Sequence, residues 1–468
     1  MGNGLFRWVL IVGMMLRAVV VRAESTVDGH PWPPDEKLYA PAGTEIAPGL
    51  KVGDTLDEKN ADLARDLLPP EIVEHYRKGE YRNPIDSWPE GIIHRDRSFE
   101  EASEGNAGKY DIDPETGTIV EKASGRMNLT DIYGMPFPKI DPGDPQGGLK
   151  ALWNSYVNWW TQGSYHMLAG IVWVMPKGLD RQSIQEVWFQ YYLNQNPRYR
   201  RPNPQGFAWQ SLSNATTPAD LQGTASLTWR YVDPKKRDAV WAYVPALRRV
   251  RATSPNNRSD GLLGSDLSQD DGNFVDVKVE DFTWKTIGIR DGLRIAEPLS
   301  VHGHHNGLLR ADGAIRDTGR GATPTAGYMV PGWTGLGWAP ASDALFKRKF
   351  WVIEGRPRDR YYLYGRMELW IDTESATGAW SRKFGWKDEL LSVYQVSAYL
   401  HYPLKRDDSD EVEWSWSNRH PWQAAEAVKL NRATLAGTRP DPDGPFDRRV
   451  TFNVDQLFSV ATLSRFGK

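Results

Sequence analysis

AVWAYVPALRRVRATSPNNRSDGLLGSDLSQDDGNFVDVKVEDFTWKTIG, residues Ala239–Gly288, joins an aromatic strand, an arginine ribbon and an acidic loop within fifty residues. Val240 to Val244 has the composition of a strand, and Phe282 to Ile289 is another. On an extended backbone Arg249 and Arg251 point one way, and Arg248 and Val250 the other. Guanidinium groups suit phosphate or carboxylate, so the ribbon has two uses. It can contact a lipid headgroup, or it can pair with Asp260, Asp266, Asp270 and Asp271 just downstream, which is the favoured expectation. Oxygen ligands at alternate positions in Asp266–Asn273 suggest calcium. The bidentate glutamate such a loop needs is out of register, so no metal is assigned.

Working outward, the period-two pattern recurs. Leu227, Trp229 and Tyr231 alternate with Thr228 and Arg230, and Val187, Phe189, Tyr191 and Leu193 share one face. Leu168–Met175 is apolar on both faces, as in a covered central strand. Later, Met367, Leu369 and Ile371 alternate with Arg366, Glu368 and Trp370; Trp380, Phe384 and Trp386 follow, and Val393–Tyr402 closes a meander. Short turns between such strands imply antiparallel pairing. Before them, Leu149, Leu152, Trp153, Tyr156, Val157 and Trp160 keep helical spacing, which predicts an aromatic-faced helix over 146–160. The fold expected is mainly β with a few α-helices: one large, curved antiparallel sheet covered by helices.

The flanks give the organisation. Leu5–Leu16 is apolar apart from Arg7, Ala18–Val21 continues that character, and Val21-Arg22-Ala23 has the form of a cleavage site, so residues 1–23 are read as a signal peptide. Export to the periplasm follows from that reading, with a mature charge of −6. Residues 24–125 are rich in Pro, Gly and charge and are expected to wrap the core domain, 126–468. Within them lie amphipathic helices at Asp57–Leu68 and from Pro70 to Arg77, and a hairpin over Lys109–Gly125. A Gly-rich insertion spans 302–337, and such loops are often mobile or functional.

Composition narrows the function. Lys and Arg number 57 against 60 Asp and Glu, which offers nothing to nucleic acid. With no cysteine, disulfides, thiolate metal sites and an N-terminal lipid anchor on cysteine are excluded. The 21 Trp, 19 Tyr and 14 Phe suit a large β core or broad contact with an apolar ligand. No G-x-S-x-G elbow, H-E-x-x-H helix or phosphate loop occurs, so no catalytic residue and no cofactor is assigned. His302, His304 and His305 sit among glycines and are read as a solvated loop. Trp414, Trp416 and Trp422 beside Asp408, Asp410, Glu411 and Glu413 support the alternative reading, a carbohydrate-binding or glycoside-active protein.

The central stretch, together with Gly43–Arg82, GKYDIDPETGTIV (108–120) and RMELWID (366–372), resembles a bacterial envelope family, domain of unknown function 1329, over most of the mature chain. That family is related in fold to the periplasmic lipoprotein carriers LolA and LolB. The resemblance implies an incomplete barrel with helices across its open side and an apolar cavity. It further implies a non-catalytic carrier or sorting role for a lipid, an acylated protein or another hydrophobic ligand, with an outer-membrane protein or an efflux-type transporter as partner. The residues expected to line the cavity or its lid are Leu152, Trp153, Tyr156, Trp160, Trp229, Tyr231, Trp241 and Tyr243, with Arg249 and Arg251 as headgroup contacts.

Overall fold

The computed structural model describes residues 25–27, 30–32, 39–88, 91, 93, 95, 97–157, 163–254, 258–298, 307–310, 314–317, 325–398, 402–406, 412–415, 422–438, 446–448 and 452–466. Segment 1–23, read above as a signal peptide, Trp160, the 302–305 histidines, and Asp408, Asp410, Glu411 and Trp416 lie outside them.

Thirteen strands form the principal ladder. In chain order they are β1 (Ser164–Met175), β2 (Gly178–Tyr191), β3 (Phe207–Thr217), β4 (Ala225–Tyr231), β5 (Ala239–Val244) and β6 (Arg249–Thr253). Then come β7 (Phe282–Ala296), β8 (Ala344–Pro357), β9 (Arg366–Asp372), β10 (Gly378–Phe384), β11 (Leu390–Val396), β12 (Trp422–Ala427) and β13 (Arg432–Thr438). Neighbours pair antiparallel from β6 through β5, β4, β3 and β2 to β1. From β1 the ladder continues through β13, β12, β11, β10, β9 and β8 to β7. Among the described residues no pairing joins β6 to β7, so this ladder is an incomplete barrel with two free edges. Beyond these strands, Asn83–Asp86 pairs parallel with β8, and Gly307–Leu309 pairs parallel with Tyr402–Arg406.

Both faces are covered, because both carry apolar side chains. On the outer face of β7–β13, residues 50–85 bury Leu56, Leu68, Ile72 and Tyr76 against Leu293, Val352, Trp380 and Ala424. The outer face of β3–β5 is capped by two short C-terminal helices, through Phe458 and Leu463. The inner face takes the predicted aromatic helix, which spans Gly147–Tyr156 and packs on β7 and β8. Its first turn approaches the sheet closely: a Cβ on Gly148 would lie 2.1 Å from Ile353 Cγ2, and one on Gly147 2.4 Å from Trp351 Cη2.

Two expectations change. The Asp57–Leu68 helix is only a short 3-10 turn, Ala61–Ala64. Asn60 ties the preceding turn instead, accepting from Asp57 N–H at 2.9 Å and donating to Thr55 O at 2.9 Å, and such side-chain bonds compete with a helix. The later part of the Gly-rich insertion is also firmly seated. Leu336 is buried, as is Trp338 just beyond the insertion, and a Cβ on Gly335 would lie 2.2 Å from Glu80 O, so close approach explains these glycines.

The helix Pro70–Arg77 is bolted to the barrel by His75, whose Nδ1 lies 2.7 Å from Glu80 and Nε2 2.8 Å from Glu426. Burial opposes charging this ring, but hydrogen bonds to the two carboxylates win and raise its pKa to about 9. A folded pKa above the unfolded value means that the bridge contributes fully below about pH 6.5 and fades as pH rises toward 9. Urea unfolding should therefore lose stability over that window, by at most roughly 3 kcal/mol, and His75→Gln should flatten the loss. Gly148→Ala should cost about 2 kcal/mol by overpacking, read as a lower Tm.

Candidate functional site

The inner face of β1–β3 and β13 is built from alternate residues, and many of these are small. Met167 faces Val187, Ala169 faces Gln185, Phe189 faces Ser211 and Val187 faces Ser213 in register. Ala436 faces Ile171 from β13. Ser and Ala leave volume unfilled between the larger rings. The result is a cavity of about 230 Å3 between this wall and the chain segment 262–276.

That segment belongs to the connection from β6 to β7, so it joins the two free edges across the open side of the sheet. It has little regular structure, only short 3-10 turns at Leu262–Gly264 and Gln269–Phe274. Ion pairs hold it instead. Arg258 bonds Asp270 at 2.9 Å and Asp238 at 3.1 Å, while Arg230 on β4 bonds Asp238 at 2.9 Å and Asp276 at 3.0 Å. Arg432 holds Asp266 at 2.9 Å, and Lys383 holds Asp271. Phe274 adds an apolar pin with φ +87°, seated where Gly378 has no side chain. The Trp209 ring lies 4.8 Å from the Arg230 guanidinium and 5.9 Å from that of Arg258, which continues the network into the cavity wall.

The electrostatics follow the packing. Asp238 is deeply buried, which would raise its pKa, yet Arg230 and Arg258 hold it below the usual carboxylate range. Burial prevails at Asp276, despite the same two arginines, and pushes its pKa to about 6. All three loop carboxylates proposed for calcium, Asp266, Asp270 and Asp271, thus have cationic side chains as partners. No cluster of three or more metal-ligating side chains occurs among the described residues.

The residues predicted for the site are divided between two faces. Leu152 is fully buried in the inner core. Trp153, Tyr156 and Tyr231 border a separate void of about 30 Å3, with Trp153 Nε1 donating to Gly117 O and Tyr156 Oη accepting from Arg230. Trp229, Trp241 and Tyr243 lie on the outer face, under the C-terminal helices; Trp229 Nε1 donates to Phe458 O at 3.0 Å. Arg249 and Arg251 are exposed and form no ion pair among the described residues, which corrects the expectation that they neutralise the acidic loop. They do share the cavity's face: Ser226 faces Ala242, and Ala242 faces Arg251. Arg258 and the Met167–Ile171 and Ser211–Ser213 positions were not singled out in the sequence. Their signal is the opposite of the aromatic one, small or polar residues alternating with large ones.

Arg258→Ala would leave three buried carboxylates short of a cation. It should cost about 3–5 kcal/mol and speed proteolysis within 258–276, whereas Arg249→Ala should change neither.

A family model described as protein of unknown function (DUF1329) matches residues 55–310. Among solved structures, the chain is similar to a putative outer membrane lipoprotein-sorting protein domain from Vibrio parahaemolyticus, at 15% identity, covering 69% of this chain and 100% of that one, TM-score 0.43. A DUF1329 family protein from Desulfovibrio piger matches at 16% identity over 68% and 99% of the two chains, TM-score 0.43. A LolA superfamily protein from Nitrosomonas europaea matches at 11% identity over 67% and 98%, TM-score 0.37. No curated protein matches the sequence.

Proposed function

The chain belongs to the DUF1329 family, and from that premise we propose that it is a periplasmic carrier that shelters the apolar part of a lipid, an acylated protein or another hydrophobic ligand without acting on it chemically. The observation that carries this reading is the cavity under the 262–276 segment. Its volume of about 230 Å3 exceeds that of engineered apolar cavities of about 150 Å3 that bind benzene. Met167, Ile171, Val187, Phe189 and Leu267 supply apolar walls, and the row Ser211, Ser213 and Ser226 supplies a polar strip. An acyl segment lies along the apolar side, and its polar end follows the serines outward. Arg249 and Arg251, on the same face and two strands beyond Ser226, are the cations we assign to an anionic headgroup. The apolar leader at residues 5–21 supports export, and no helix among the described residues is long and apolar enough to cross a membrane.

Native mass spectrometry of gently purified protein should detect a discrete bound mass, identified by organic extraction as a lipid or acylated species. A fluorescent fatty-acyl probe should bind the emptied protein, and Ala436→Trp, which fills the cavity, should weaken it at least about tenfold. Arg249→Gln with Arg251→Gln should weaken an anionic probe and leave its uncharged ester unaffected. A clean apo mass with no probe uptake overturns the carrier reading.

A further inference from the structure

Eight adjacent strands of the ladder, β8 to β13 followed by β1 and β2, join through four hairpins that all turn at the same end: β8–β9, β10–β11, β12–β13 and β1–β2. Each hairpin exposes a large apolar side chain at or beside its tip. Tyr361 is 77% exposed, Leu430 60%, Trp386 53%, Leu179 48%, Leu363 47% and Met175 44%. These are six of the eleven exposed large hydrophobic residues among the described residues. Such side chains are ordinarily scattered, so this concentration at one rim calls for an explanation.

The same turns are cationic in a chain whose formal charge is −3. Residues 176–181, 356–366, 385–389 and 428–432 carry nine Lys and Arg against four Asp and Glu, although Arg181 pairs with Asp220, Arg356 and Arg366 with Glu354, and Arg432 with Asp266. The acids are Asp180, Asp359, Asp388 and Glu389; Asp388 is engaged by Arg366 and Glu389 lies near Lys429. Lys177, Arg360 and Lys387 form no ion pair among the described residues.

We propose that this rim docks on the surface of an anionic lipid bilayer, with the apolar tips entering the headgroup layer and the cations meeting lipid phosphates. Spacing decides between a bilayer and a protein. Successive hairpins are two strands apart, so their tips stand about 10 Å from one another. A protein partner must fill the spaces between such tips with packed side chains across a continuous interface. Fluid lipid fills them without that demand, and Trp and Tyr settle at the level of the headgroups. Lys and Arg among the tips add attraction to acidic lipids. The docking is distinct from cargo binding, because none of these residues borders the cavity under 262–276.

Flotation of the purified chain with phosphatidylglycerol-containing vesicles, and with pure phosphatidylcholine vesicles, tests the proposal. Binding to the anionic vesicles should exceed that to neutral ones at least about tenfold and should fall with salt. Tyr361→Ser/Trp386→Ser/Leu430→Ser should abolish it. Lys177→Glu/Lys387→Glu, a charge change that leaves packing intact, should weaken it in parallel. Ala436→Trp should float as the wild type does, which separates docking from cargo uptake. Absence of binding to anionic vesicles, or unchanged binding of both rim variants, overturns the proposal. Concentration-dependent self-association lost in the triple variant, without vesicle binding, overturns it in favour of a protein contact.

Discussion

An incomplete barrel has one obligatory weakness: two strand edges with unpaired backbone groups, and an apolar concavity between them. Here a single stretch of chain spans that opening, and Arg258 is the centre of what fixes it. The guanidinium gathers Asp238 from the β4–β5 turn with Asp270 and Asp276 from the covering segment itself. Because the covering segment lacks regular secondary structure, its position depends on these pairs and on the Phe274 pin. Buried pairs of this kind add little net stability over a well-packed apolar alternative, but breaking one partner is costly. They specify a position more than they strengthen it. The cavity behind them is thereby kept shaped and covered rather than collapsed.

The layering shows how the two termini serve the sheet. Residues 50–85 support the outer face of one half and the C-terminal helices support that of the other. Neither borders the large cavity. Rigidity on the convex side leaves the concave side as the place where volume can be spared, which is where the small residues are found.

Much of the fold was legible. Alternation placed most of the strands, the 3.6-residue spacing marked the inner helix, and the resemblance to the 1329 family pointed to an open barrel. The cavity was not legible, for a physical reason. Aromatic residues were read as lining, yet Trp229, Trp241 and Tyr243 are large enough to fill the space between sheet and C-terminal helices, and they pack there. A cavity needs unfilled volume, so its wall is written in Ala169, Ser211, Ser213, Ala436 and Gly437, residues that attract no notice singly. The arginine ribbon misled differently. Proximity in sequence suggested pairing with the acidic loop, but strand direction carries Arg249 and Arg251 along a free edge, while Arg258, Lys383 and Arg432 reach the aspartates. Strand parity decides such questions, and it becomes fixed only when neighbours and their register are known.

The pairing of β1 with β13 has a consequence for how the molecule is made. Ala169–Val174 finds its second neighbour in Ala433–Thr438, near the opposite end of the chain. Until those residues emerge, an apolar strand destined for the middle of the sheet is an open edge, and β12 cannot complete its own pairing either. Contacts this distant in sequence form slowly and late. The nascent chain must therefore pass through a long interval with its most adhesive strand uncovered, when a chaperone has most to offer and a shortened chain most to lose.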